Sequence, residues 1–433
     1  MESRRVLCTR ELLAFVSLYQ PGVCQDMFGL SGLRRPSPRL AYFNQHLKFL
    51  ALDRQLGPWL LQPGLGRLPK LTECLPQMSC LLGDYGAYFG HLALLHRLHS
   101  LGVLRGEQAL PRFAALQGHV PVLAFLDSIE HPGFGADLVD VAARHNQLAV
   151  MEWIEVHRAD LRGSMAAMTA AAANGHLDMV RVLHTHDAID ACSTDAMDRA
   201  AAGGHLEVVR FLHTHRTEGC TVAAMDDAAE FGHLDVVRFL HANRHEGCTV
   251  DAMNHAAMNG HVDVVRFLDT HRREGCSEWA MTWAAGRGFL DVVAYLHTYR
   301  LDGCTADTLD MAAGGGHVRV VEYLMRHRPN LPCSKHAMDD AAGNGHLEMV
   351  QWLHAHRQEG CTTRALDDAA SNGHLHVVAW LVENRMEGGT DAAAAGAAAN
   401  GFDDVVQYLL SKGLSGPQRS NRMVADSDLN PWR

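Results

Sequence analysis

One line of text recurs along this chain. AAEFGHLDVVRFLHANRHEGCT, which begins at Ala228, is followed by AAMNGHVDVVRFLDTHRREGCS, which begins at Ala256. The Gly that closes each AAxxG falls at Gly175, Gly204, Gly232, Gly260, Gly288, Gly316, Gly345, Gly373 and Gly401, so each unit is 28 or 29 residues long. The same step backwards lands on Gly118 and Gly90, and on Asn146 in VAARHNQLAVMEWI, where the pattern is eroded. A fixed period of about 20 to 50 residues constrains the fold more than any composition does. Each unit is then one supersecondary element that can bury its apolar face only against its neighbours.

Within a unit the residues spell two short helices. Thr249 is suited to cap the first, and Asp251 brings negative charge to the positive end of its dipole. Ala252, Met253, Ala256 and Ala257 recur at helical spacing and predict a thin apolar face that neighbours approach closely. Gly260 stops the helix as a residue free to take positive φ. The second helix should turn Val262, Val264, Val265, Phe267 and Leu268 inward before an EGC turn leads to the next cap. The bulky position before the last Leu, running Phe211, Phe239, Phe267, Tyr295, Tyr323, Trp352, Trp380 and Tyr408, is assigned to the seam between units. Neither helix reaches the roughly 12 to 15 residues at which an isolated helix becomes marginal in water, so stacking has to supply the stability.

These residues resemble the ankyrin repeat family. AAxxGHLxVVxFL stands almost unaltered as AAANGHLDMVRVL, AAAGGHLEVVRFL, AAEFGHLDVVRFL, AAMNGHVDVVRFL, AAGNGHLEMVQWL and AASNGHLHVVAWL. The likeness covers about residues 165–413 well and runs weakly upstream from about residue 80. It implies an all-α solenoid of stacked helix-turn-helix repeats. Two departures qualify it: the family's usual length of about 33 residues is cut by about five after the second helix, and the TPLH opening is replaced by forms such as DAMD at residues 195–198. The β-hairpin fingers of the family are therefore expected as tight turns.

The domain reading is residues 1–80 as a helical cap or an F-box-like region, 81–164 as degenerate repeats, 165–413 as nine repeats, and 414–433 as a polar, disordered tail. In residues 8–35, Glu11, Leu12, Leu13, Val16, Leu18 and Tyr19 resemble part of an F-box, without its leading Pro and closing Trp. A formal net charge of −11 argues against nucleic acid and makes a basic protein partner the expectation. No apolar run is long enough to span a bilayer, and Arg10 and Glu11 interrupt any secretory core, so a cytoplasmic or nuclear location is expected. Cys192, Cys220, Cys248, Cys276, Cys304, Cys333 and Cys361 share one register and are expected as reduced thiols that fill gaps.

Chemistry-bearing patterns each have a structural counterpart. His176, His205, His233, His261, His317, His346 and His374 form a row that Phe289 and Phe402 interrupt, which favours a packing peg over a proton-transfer role. Among the histidines, His241 and His245 are spaced to share an ion, but without a third ligand they make a poor zinc site. The Asp row, Asp198, Asp226, Asp310, Asp339 and Asp367, is suited to bond backbone at turns. Nothing isolates a nucleophile with its base, and neither an enzyme, a cofactor nor a small-molecule substrate is expected.

What varies while the frame holds is the residue after that Asp and the pair before the Gly. These positions supply the expected partner-binding set: Arg199, Asp227, Glu230, Phe231, His255, Met258, Trp283, Arg287, Met311, Asp340 and Asp368. Drift on a solvated face is the competing reading. The expected function is a non-enzymatic scaffold that binds a protein on the first-helix face; the alternative is an F-box-type substrate adaptor of a ubiquitin ligase.

Overall fold

The computed structural model describes residues 25–35, 42–61, 65–104, 109–135, 137–185, 192–300 and 304–414. Among them every regular element is helical and there is no strand. Most of the F-box-like stretch and all but the first residue of the expected tail lie outside the described residues. The chain divides into two units, Met1–Cys220 and Thr221–Arg433.

The first unit holds helix Tyr42–Trp59 and helix Leu65–Cys74, then five helix pairs from Met78–Phe89 with Leu92–Ser100 to Asp195–Ala202 with Leu206–His215. Phe49 stacks on Tyr88 with centroids 4.0 Å apart, and Arg35 grips the fully buried Asp84 at 2.5 and 3.1 Å. The second unit holds seven pairs, from Ala223–Glu230 with Leu234–Asn243 to Asp391–Ala399 with Asp403–Ser411. In each unit successive pairs stack as an α-solenoid, and first helices lie against one another more closely than second helices do. Small side chains explain the difference: Ala252, Ala256 and Ala257 are buried at the contact together with Met253. On the second helix Val264, Val265 and Leu268 are fully buried, while Val262 and Phe267 are half-buried. Each apolar side chain of this size contributes about 1.5–3 kcal/mol when buried.

The caps work as the residue types require. Thr249 is extended at φ −102° and its hydroxyl accepts the Asp251 N–H at 3.1 Å. At the other end Gly260 has φ +80°, its N–H donates to the Ala257 carbonyl and that of His261 to the Ala256 carbonyl, which is a Schellman motif. The Val262 N–H then donates to the Gly260 carbonyl, so His261, at φ −82° and ψ +69°, is the centre of an inverse γ-turn. Asn146, the stand-in for Gly in an eroded repeat, also takes positive φ, +55°.

At the turn the recurring imidazole meets the repeat before it. A Cβ built on Gly345 would lie 2.7 Å from Nδ1 of His374, and one on Gly260 would lie 2.6 Å from the ring of Phe289. The ring therefore rests on a bare Cα. In several copies Nε2 also donates across the same seam, His119 to the Tyr88 carbonyl at 3.0 Å, His205 to that of Ala173 at 3.1 Å and His317 to that of Gly286 at 3.1 Å. Gln147 does so with its amide, reaching the Leu116 carbonyl at 3.0 Å. The peg reading of this row holds.

The turn after the second helix is short, as the missing residues demand. Arg272 pairs with Glu274, and the Arg273 N–H donates to the same carboxylate at 2.9 Å. The guanidinium also lies across Gly247 of the repeat before, where an added Cβ would be 2.5 Å from it. Arg244–Glu246, Arg357–Glu359 and Arg385–Glu387 repeat the pairing, and the bonds from Arg385 hold Glu387 down to about 2. The aromatic residues of the second helices do lie at the seam: Phe267 meets His241 of the previous repeat edge-on, with centroids 5.5 Å apart.

Two tests follow from the peg. Gly401→Ala, where φ is +81° and nothing lies within 4 Å of the new methyl, should cost about 1–2 kcal/mol for the left-handed backbone. Gly345→Ala should cost about 1–3 kcal/mol more because the methyl enters the His374 ring, and urea midpoints of the two variants read the difference. Burial also lowers His261, His346 and His374 from the ordinary 6.5, with neighbouring imidazoles adding to the effect at His346. In each case the unfolded chain binds the proton more readily, so this stability is complete above pH 6.5 and is lost as pH falls through the folded value. Urea midpoints should drop as pH falls below about 6.5, and His346→Phe should flatten the drop.

Candidate interaction surface

On the first helices that carry the Asp row, adjacent positions have different fates. The Asp row turns into the seam: the Asp339 carboxylate accepts the Thr362 N–H at 2.7 Å and its hydroxyl at 2.7 Å. Asp226 holds Thr249, Asp310 holds Ser334 and Asp367 holds Thr390 in the same way. Where Asn254 replaces the acid, its amide oxygen still accepts the Ser277 N–H at 3.0 Å. These carboxylates cap the cap of the next repeat and are structural. Burial pushes Asp226 above the usual carboxylate range even though the Thr249 bonds act against it.

The next residue along turns outward. In residues 221–414 the structure brings part of the expected set together. Glu230 Oε2 lies 3.4 Å from Nδ1 of His255, and the His255 ring stacks at 6.1 Å on Trp283. Trp283 stacks at 5.6 Å on Trp279, which is 46% exposed. Phe231 and Met311 are exposed at 55% and 47%. Farther along, Arg364 bridges Asp340 at 3.1 Å and Asp368 at 2.8 Å. Met311 packs over Gly286, Asp340 over Gly314 and Asp368 over Gly343, where an added Cβ would lie 3.1–3.2 Å away. The small residues that end these helices make room for the variable side chains of the next repeat. A depression of about 400 Å³ runs over Gly286, Met311, Asp340, Arg364 and Asp368.

Other members of the set stand apart. Arg199 lies in the first unit, exposed. Arg287 is exposed and donates to Asn259 Oδ1 at 3.0 Å, while Asp227 and Met258 are half-buried on their helices. Sequence reasoning missed Trp279 and Arg364. Each lies four residues before a member of the expected set, Trp283 and Asp368, so the i, i+4 rule was the available signal.

The cysteine row is free of disulfides. Burial pushes the thiols of Cys248 and Cys361 up to about 11 and that of Cys333 to about 12, which keeps them protonated and poor nucleophiles at neutral pH. Among the described residues no group of three His, Cys, Asp or Glu is placed to hold a metal ion. None of the helices among them is long and apolar enough to cross a membrane.

The two neighbours Asp339 and Asp340 separate frame from surface in one experiment. Asp339→Ala orphans a buried cap and should destabilise by about 2–4 kcal/mol, whereas Asp340→Ala should stay within about 0.5 kcal/mol. Chemical denaturation of both variants reads the contrast.

A family model for ankyrin repeats in many copies matches residues 225–268, and one for ankyrin repeats in three copies matches residues 138–226 and 338–421. No curated protein matches the chain. Repeats of this family are generally protein–protein interaction modules. The helix pairs, the Gly-His turns that join them and these matches agree, and the chain belongs to the ankyrin repeat family.

Proposed function

We propose that the chain is a non-enzymatic scaffold whose first-helix face, over residues 223–371, binds a basic protein partner. The observation that carries this reading is the strip of exposed Phe231, Trp279 and Met311 with half-buried His255 and Trp283 between them, flanked by Asp227 and Glu230 on one side and Asp340 and Asp368 on the other. Large aromatic residues left half in water on a rigid frame are the side chains that dominate interface energies. Arg364 offsets only one of the two charges of Asp340 and Asp368, and with Asp227 and Glu230 the flanks keep an acidic excess that favours lysine or arginine in the partner and disfavours a polyanion. The seven cysteines, free and at one register, suit a cytoplasmic or nuclear setting in which thiols stay reduced.

Affinity capture with the intact chain tests this. Trp283→Ala with Phe231→Ala should weaken retention of the bound partner by roughly 30-fold or more, the loss of about 2 kcal/mol expected of one hot-spot residue. Arg238→Ala, on the second helices, should leave retention unchanged. A partner held equally by all three proteins would place the binding face elsewhere.

A further inference from the structure

The first-helix face of residues 1–220 has the opposite chemistry. An open cavity of about 730 Å³ lies over the middle of three successive first helices, Asp137–Arg144, Met165–Ala173 and Asp195–Ala202. Its floor is small, with Ala166, Ala170 and Ala173 beside Thr169, and its two ends are Arg144 with His145 and Arg199. Arg144 and Arg199 are both exposed, and neither guanidinium has a carboxylate within ion-pair distance among the described residues. Of the acids on these helices, Asp140 accepts the N–H and hydroxyl of Ser164 at 2.9 and 2.7 Å and Asp198 is buried, while Asp137 and Asp195, at the starts of their helices, are exposed and outside ion-pair distance of either guanidinium. His176 donates Nε2 to the Arg144 carbonyl at 3.2 Å, which fixes the backbone at that end.

We propose that this cavity binds an extended peptide segment bearing two acidic residues, one answering Arg144 and the other Arg199. A floor of alanines lets a backbone approach, and two unpaired guanidiniums at its ends supply the charge that carboxylates complement. Arg144 and Arg199 belong to repeats two steps apart, about 20 Å at the usual spacing of packed helices. An extended chain rises about 3.3 Å per residue, so the two acids stand about six residues apart. His145 reports the same field: burial lowers it from its ordinary value, and Arg144, His176 and Arg112 lower it further. The net charge of −11 favours a peptide over a nucleic acid, whose continuous phosphates the rest of the surface would repel. The site shares no residue with the aromatic strip and does not depend on the function proposed for it.

The test uses the full-length protein and fluorescein-labelled peptides of about twelve residues, read by anisotropy. One peptide carries two Glu about six residues apart in a Ser and Ala background, a second has Lys in their place, and a third has the two Glu adjacent. The spaced-Glu peptide should bind roughly tenfold or more tighter than the other two. Its affinity should fall as NaCl rises from about 50 to about 300 mM. Arg144→Gln and Arg199→Gln should each weaken it by roughly fivefold or more with unchanged thermal melts, and Trp283→Ala should leave it untouched. No binding by the spaced-Glu peptide, equal binding of the Lys peptide, indifference to the spacing, or equal affinity before and after both Arg substitutions overturns the assignment. So does a single-stranded DNA oligomer of about twelve nucleotides that binds as tightly, because the site would then be unselective for polyanions.

Discussion

A ring lying on a bare Cα is the contact on which the rest of these stacks depends. At the turn of each repeat the chain reverses with positive φ, which selects Gly at all but Asn146, and in most copies the missing side chain leaves a flat seat that the His or Phe of the following repeat fills. One residue type thus meets a backbone demand and a packing demand at once. The imidazole adds a donor for a carbonyl left over at the end of the previous first helix. Where Phe402 takes the place of His, Asn400 still donates to the Ser371 carbonyl at 2.8 Å, as Asn344 and Asn372 do to Gly314 and Gly343 in repeats that keep the His.

Two further fasteners repeat with the same period. The Asp row binds the cap of the next repeat, and the Arg–Glu turn lays a guanidinium across the glycine of the previous one. All three join a repeat to its neighbour, which is why helices too short to stand alone persist here. The Asp carboxylates and the His donors are satisfied by partners about a repeat away in sequence, so a single substitution there strands a group on the other side as well. Side chains committed to fasteners are withdrawn from recognition. Those just beside them are left free to differ, and the aromatic strip of one unit and the cationic cavity of the other occupy those free positions.

Much of this was legible in the chain. Period, helix pair, caps and glycine turn all follow from local rules that act within a dozen residues, and Thr249, Asp251 and Gly260 do what their chemistry predicts. The structural role of the histidine row was legible too, because Phe289 and Phe402 take the same seat without a titratable group. The surface was harder to read. Variation marked Trp283, Met311, Asp340 and Asp368, but alternation alone could not tell that Arg364 joins two of them or that Trp279 extends the stack. Nor did overall charge reveal Arg144 and Arg199 beside one cavity, since a sum over the chain averages away a local excess.

Neighbouring residues set the repeat, the two helices in it, where each begins and ends, and which faces are apolar, because caps, φ preference and periodicity act locally along the chain. The tertiary structure alone decided which of two adjacent acids, Asp339 or Asp340, is buried in a seam and which meets water. It also decided which variable side chains come together. Those outcomes depend on how one helix is rotated and set against the next, a geometry that no single repeat contains.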